Sequence, residues 1–223
     1  MSNKQSGQHQ AWASGDAADE YFRRNRPKLN ADESPARSTL LYAGYLKSGD
    51  RVLEIGTANG WVLEQLRRLT GCEPYGMDPS HEAVADGRIR HPALQLSVGT
   101  ADKIDYPDAF FQAVLFGFCL YLLDRTLLMR AVAESDRVLC DSGRLMITDF
   151  DPVTPHRRPF MHQKGTWSYK MQYPALWLGN PGYILAEKIS YSHHGDTFHP
   201  DASERVASWI LLKRNEDAYP EQL

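Results

Sequence analysis

From residue 51 onward, short apolar runs alternate with stretches in which apolar residues recur every three or four positions. The first pattern fits buried strands and the second amphipathic helices. Arg51–Ile55 reads as a buried strand ending at Gly56, and Asn59–Leu69 as a helix with Val62, Leu63, Leu66 and Leu69 on one face. Glu73–Met77 is a second strand that stops at Asp78, after which Pro79-Ser80 caps a helix over His81–Asp86. Leu94–Val98 and Ala113–Phe118 read as the third and fourth strands, the latter apolar throughout, as a central parallel strand should be. Arg125–Leu139 is helical, Asp141-Ser142-Gly143 turns the chain, and Arg144–Asp149 is a fifth strand. Residues 152–182 break the rhythm with prolines, glycines and aromatic residues, and Tyr183–Tyr191 and Arg205–Lys213 read as closing strands. Upstream, residues 1–15 are polar and predict a flexible tail, and Asp16–Arg26 a short helix carrying Tyr21 and Phe22. Ser34-Pro35 supplies an N-cap and a first-turn proline for a helix to about Leu46.

Strands that alternate with helices predict a parallel sheet covered on both faces. The expected architecture is a Rossmann-like three-layer αβα sandwich with a mostly parallel seven-stranded sheet and an antiparallel closing strand. The chain of 223 residues suits a single domain over 1–223. Its 42% hydrophobic and 24% charged residues are ordinary for a globular protein, and a net charge of −3 argues against nucleic acid or membrane as partner. Arg23, Arg24, Arg26 and Lys28 form a short basic run that reads as a solvated helix end. Cys72, Cys119 and Cys140 give neither a disulfide framework nor a paired metal motif, and Cys119 reads as core. No apolar stretch resembles a signal peptide or a spanning helix, so a cytoplasmic setting is expected.

The segment Val52 to Gly60 carries the strongest chemical signal. A strand ends beside an acidic residue, Glu54, and a small-residue loop feeds into a helix, the place where open α/β sheets bind ligands. A dinucleotide fingerprint needs Gly-x-Gly-x-x-Gly. Counting from Gly56, its later positions fall on Ala58 and Trp61, and no Lys-Ser or Lys-Thr follows to make a phosphate loop.

Over residues 50–151 the chain resembles the class I S-adenosylmethionine (SAM)-dependent methyltransferases, of the type 11/25-like kind. Glu54, Gly56 and Gly60 match that family's acidic residue and Gly-x-Gly-x-Gly loop, with Ala58 at the middle glycine. Asp78, followed by Pro79, matches the acidic residue that binds the ribose hydroxyls. Gly99-Thr100-Ala101-Asp102 resembles the loop beside the adenine, with Asp102 at the amino group, and Phe116-Gly117-Phe118 the fourth-strand motif facing the methyl donor. The resemblance implies SAM as cofactor, held by Glu54, Gly56, Thr57, Ala58, Asn59, Gly60, Asp78, Pro79, Ala101, Asp102, Phe116 and Gly117. It implies transfer of a methyl group to an oxygen or nitrogen of an acceptor.

No Asn/Asp-Pro-Pro-Tyr motif of amino-methylating DNA enzymes follows the fourth strand, where Phe118-Cys119-Leu120-Tyr121 stands. A small-molecule acceptor is therefore expected, with RNA or protein methylation and non-catalytic SAM binding as alternatives. Monomer and homodimer both remain open. His156 and His162 are candidate bases because imidazole titrates near neutrality, and Asp151 at the sheet edge could orient one. Tyr121, Trp167 and Tyr169 are candidate substrate contacts, with residues 152–182 as an inserted lid on the substrate side and Tyr21 and Phe22 closing the other side. His193, His194, Asp196 and His199 match no standard ligand spacing and read as solvated loop residues, so no metal is expected.

Overall fold

The computed structural model of the chain describes residues 8, 12, 14–219 and 221. The tail expected over residues 1–15 lies outside the described residues except at Gln8, Trp12, Ser14 and Gly15. Helix α1 spans Asp16–Asn25 and α2 spans Arg37–Ala43. Then follow β1 (Arg51–Ile55), α3 (Trp61–Thr70), β2 (Glu73–Asp78), α4 (His81–Arg90), β3 (Gln95–Val98) and β4 (Phe111–Gly117). Helix α5 (Leu128–Val138) leads into β5 (Leu139–Phe150). A hairpin of β6 (His156–Pro159) and β7 (Trp167–Lys170) precedes the short α6 (Ala175–Leu178), then β8 (Tyr183–Ser192) and β9 (Arg205–Lys213).

Seven strands form one sheet in the order β3-β2-β1-β4-β5-β9-β8. Strands β1 to β5 are mutually parallel, and β9 runs antiparallel between β5 and β8. The expected sandwich and its antiparallel closing strand are both present. The chain winds outward through β1, β2 and β3, then returns to lay β4 on the other side of β1. That reversal opens a crevice at the carboxyl ends of β1 and β4.

Alternation along the strands builds a core on each sheet face. Leu53 and Ile55 of β1 join Val114 and Phe116 of β4 in one cluster. Val52, Ala113 and Leu115 join Leu63 and Leu66 of α3 in the other. Burial of this kind contributes about 25 cal/mol per Å² of apolar surface.

Several boundaries differ from expectation for local reasons. Helix α2 starts at Arg37, and its N-cap is Ala36 with no side-chain cap, so Ser34-Pro35 lies outside it. Helix α3 starts at Trp61, because Gly60 holds a left-handed backbone (φ 80°). Helix α4 runs on to Arg90, with Ser80 Oγ accepting from Ala83 N at 2.9 Å. The turn at Asp141-Ser142-Gly143 lies inside β5. Phe111 pairs with Leu139 and Ala113 with Arg144, so residues 140–143 bulge out, with Ser142 at φ 60°. Residues 152–182 are more ordered than their punctuation suggested, since the β6–β7 hairpin and α6 both fall there.

Candidate functional site

Each donor-end carboxylate sits where an apolar strand stops. Glu54, near the end of β1, is 3% exposed and accepts a 2.7 Å hydrogen bond from Thr57 Oγ1. Burial pushes its carboxyl up to about 8; the Thr57 hydrogen bond opposes this and the nearby Asp78 charge adds to it. Asp78, at the end of β2, accepts from Ala58 N through Oδ2 and from Ser80 N through Oδ1, each at 2.8 Å. Burial pushes Asp78 up to about 6, against the pull of those two backbone donors.

The loop between β1 and α3 takes a left-handed backbone at every second residue: Gly56 at φ 77°, Ala58 at 52° and Gly60 at 80°. Glycine adopts this region freely, whereas alanine does so at a cost of about 1–2 kcal/mol. A Cβ on Gly56 would stand 2.6 Å from Cys119 Cβ, and one on Gly60 2.5 Å from Leu94 Cδ1. The two glycines therefore bring the loop against the segment that follows β4 and the residue that precedes β3.

These strand ends open into a cavity of about 740 Å³, within the range of roughly 300–1,000 Å³ usual for small-molecule sites. Glu54, Gly56, Thr57, Ala58, Asp78, Pro79, Ala101, Asp102 and Gly117 line it. Three other residues expected at the cofactor do not. Asn59 is fully buried and donates to Asp86 Oδ2 at 3.0 Å, Gly60 packs on Leu94, and Phe116 packs on Trp177 with ring centres 5.7 Å apart.

The expected acceptor residues divide in the same way. Tyr121 and His162 line the cavity. Asp151 turns away to β8, where Lys188 Nζ (2.9 Å) and Ser190 Oγ (2.7 Å) hold it. His156 and Tyr169 line a separate hollow with Arg125 and Arg157, and Trp167 lies under the Arg157 guanidinium at 4.3 Å. Tyr173 and Trp177 are core residues, with Trp177 Nε1 donating to Ser135 Oγ at 3.3 Å, so that aromatic segment packs inward. The hairpin instead presents Arg158, Pro159, Phe160, Met161, His162, Ser168 and Lys170 to the cavity.

Sequence reasoning missed several lining residues. Phe118, just beyond β4, holds φ 50°, and its ring meets Phe150 at 6.0 Å and His193 at 5.8 Å. Tyr121 meets Phe150 at 5.2 Å and Phe160 at 6.5 Å, and Phe160 stacks on Tyr21 at 6.5 Å. Lys170 Nζ stands 3.7 Å from the centre of the Phe150 ring. Beneath them Asp149 is fully buried, and that burial pushes its carboxyl up to about 7 despite donors at Phe150 N and Tyr121 N. His193 belonged to the segment read as a solvated loop, yet it borders the cavity. Burial first, then the charges of His194 and Lys170, lower its proton affinity. The only available signal was aromatic content, which does not separate lining from core.

The basic run at residues 23–28 also divides. Arg23 pairs with Glu82 at 2.7 Å and Arg26 with Asp86 at 2.6 Å, both on α4. Arg24 and Lys28 line the cavity.

This is the class I SAM-dependent methyltransferase fold, whose cofactor is S-adenosylmethionine. Residues 53–147 match the family model of the methyltransferase domain. A demethylmenaquinone methyltransferase of Beutenbergia cavernae is 30% identical over 132 residues, covering 59% of this chain and 52% of that protein. The chain spans about half the length of the curated relatives it matches first. Among solved structures, the 1,6-didemethyltoxoflavin-N1-methyltransferase of Burkholderia thailandensis superposes with a TM-score of 0.71 at 15% identity, over 96% of this chain and 94% of that one. The [4+2]-cyclase SpnF superposes at 0.62 with 21% identity over 80% of each chain. Likeness at such identities establishes the fold.

The residues of the cavity fit the cofactor. Asp102 Oδ1 borders the cavity, buried and without a hydrogen-bond partner among the described residues, and so is free to accept from a ligand donor. A Cβ on Gly117 would lie 3.3 Å from Glu54 Oε1 and crowd the donor end.

Proposed function

We propose that this protein transfers a methyl group from S-adenosylmethionine to an oxygen or nitrogen of a small-molecule acceptor. One observation carries the reading: a single cavity joins the strand-end carboxylates Glu54 and Asp78 and the loop carboxylate Asp102 to an aromatic chamber holding His162, His193 and Lys170. Bound there, the cofactor supplies a methyl group already activated as a sulfonium. The work of the chain is then alignment, which is worth about 7–11 kcal/mol in favourable cases.

In this reading Asp78 accepts from the ribose hydroxyls and Asp102 from the adenine amine. The Gly56–Gly60 loop and Glu54 hold the amino-acid end. Phe118, Tyr121, Phe150 and Phe160 orient a flat acceptor and keep water away. His193, whose surroundings favour the neutral ring, and His162 are placed to take the proton that the acceptor gives up. His156 and Asp151 sit outside the cavity. The β6–β7 hairpin is the part of residues 152–182 that serves as lid. The whole of 1–223 works as one domain in this reading.

The test is calorimetric titration of the purified protein with SAM, S-adenosylhomocysteine and NAD. Micromolar binding of the first two and none of NAD supports the reading. Failure of a folded protein to bind either sulfur compound ends it. RNA as acceptor would show itself in steeply salt-dependent substrate binding.

A further inference from the structure

The charges lining the cavity are sorted by sign. Its carboxylates are Glu54, Asp78 and Asp102 at the donor end, and Asp124, whose Oδ1 accepts from Thr126 N (2.8 Å) and Oγ1 (2.7 Å). Its long-chain cations are Arg24, Lys28, Arg158 and Lys170. None of the four makes an ion pair or a side-chain hydrogen bond with a described residue. Two of them stand on aromatic rings: Arg24 is 5.0 Å from the Tyr21 ring centre and 5.8 Å from Phe160, and Lys170 stands over Phe150.

Composition does not account for this, because the chain carries a net charge of −3. Nor does a shortage of partners, because Arg23 and Arg26, on the same short stretch as Arg24 and Lys28, both find carboxylates. The donor cannot use all four cations. It brings one carboxylate, which engages one of them, together with an ammonium and a sulfonium that add positive charge to the chamber. Lys170 is half-buried with no acidic hydrogen-bond or ion-pair partner among the described residues, which is costly unless a ligand neutralises it, whereas Arg24, Lys28 and Arg158 are exposed and free to reach an anion.

Building on the methyltransferase reading, we propose that the acceptor is an aromatic anion: a flat ring bearing a carboxylate or phosphate beside the group that is methylated. The ring lies among Phe118, Tyr121, Phe150 and Phe160, and the anion meets Lys170 and Arg158 on the hairpin, with Arg24 on the opposite wall. Arginine forks onto carboxylate or phosphate with paired donors, and such charge-assisted hydrogen bonds are stronger than neutral ones. A neutral acceptor would leave these cations unmatched.

The experiment is calorimetry on the full chain saturated with S-adenosylhomocysteine. The probes are salicylate, protocatechuate and anthranilate, each against its methyl ester, and phenyl phosphate against phenol. At least one anion should bind about ten-fold or more tightly than its neutral counterpart, and the carboxylate and phosphate arms say which anion is preferred. Arg158→Gln and Lys170→Gln should each reduce that preference several-fold, with melting temperature as the control for folding. Equal binding of acids and esters, binding of menadiol alone, or no probe binding at millimolar concentration would each overturn the proposal. Those outcomes leave the methyltransferase reading intact, whereas failure to bind S-adenosylhomocysteine removes that reading itself.

Discussion

The two ends of the cavity are built by opposite means. At the donor end, carboxylates stand on consecutive strand ends and are held locally: Asp78 accepts from two main-chain N–H groups, and Glu54 from the hydroxyl of Thr57 in the adjoining loop. At the acceptor end, side chains from α1, the segment after β4, the β6–β7 hairpin and His193 converge from distant parts of the chain, and two of the cations among them, Arg24 and Lys170, stand on aromatic rings. The donor end is a pre-formed carboxyl cradle belonging to the sheet. The acceptor end is a cationic chamber assembled from additions to it.

If the donor end is pre-formed, removing one strand-end carboxylate should produce the largest effect. Asp78→Ala takes away the proposed ribose acceptor and frees the Ala58 and Ser80 N–H groups that the carboxylate holds. Hydrogen bonds to a charged group are worth about 1.5–3 kcal/mol each, so SAM affinity should fall about 100-fold. Calorimetry checks this, and a Kd within three-fold of the parent would take Asp78 out of the site.

That contrast also explains what the sequence made legible. Glu54 and Asp78 could be placed because each ends an apolar run, and parallel strands aligned in one sheet bring their ends together. Asn59, Gly60 and Phe116 belong to the same motifs but do not reach the cavity, because a motif fixes the backbone path and not the direction of each side chain. Phe116 shows the limit clearly: strand alternation puts it on the face that packs Trp177. At the acceptor end, Asp151 follows Phe150 and turns the other way, to Lys188. The division of the basic run was partly readable, since Arg24 and Lys28 are four apart while Arg23 and Arg26 are three apart on another face. Nothing in the sequence placed the hairpin against α1, because that contact joins segments far apart in the chain.

A second test asks whether the cradle depends on close backbone approach. Gly56→Ala sets a Cβ 2.6 Å from Cys119 Cβ and forces alanine to a φ of 77°. Overpacking and left-handed strain together should lower stability by about 3 kcal/mol in urea unfolding. Adding Cys119→Gly should restore the packing part and leave only the strain. A double variant no better than the single one would show that the contact with Cys119 is not what constrains the loop.

The carboxylates give a third, through pH. Glu54 rises from 4.5 to about 8 and Asp78 from 3.8 to about 6 on folding. Between those limits the folded chain holds protons that the unfolded chain has released. Stability of the ligand-free protein should therefore fall as pH rises from about 4 to about 8, with a slope approaching about 1.4 kcal/mol per pH unit for each such proton. Glu54→Gln should flatten the upper part of that fall. A cationic donor favours the ionised carboxylate, so SAM should bind more tightly at pH 8 than at pH 6 and release protons, seen as a buffer-dependent enthalpy. Stability that rises across this window would contradict the burial of Glu54.

The smallest expected effect lies at Ala58, where the chain departs from the glycine of related loops. Its φ of 52° costs about 1–2 kcal/mol for a residue with a Cβ. Ala58→Gly removes that strain but gives the unfolded chain more freedom, which costs about 0.4–1 kcal/mol. The difference predicts a stabilisation of about 0.5–1 kcal/mol in urea unfolding, with SAM affinity little changed because the Ala58 N–H that bonds Asp78 is retained. A loss of stability would mean that the methyl group packs against the cavity wall well enough to outweigh its strain. In that case the Ala58 methyl group would be part of the shape of the site.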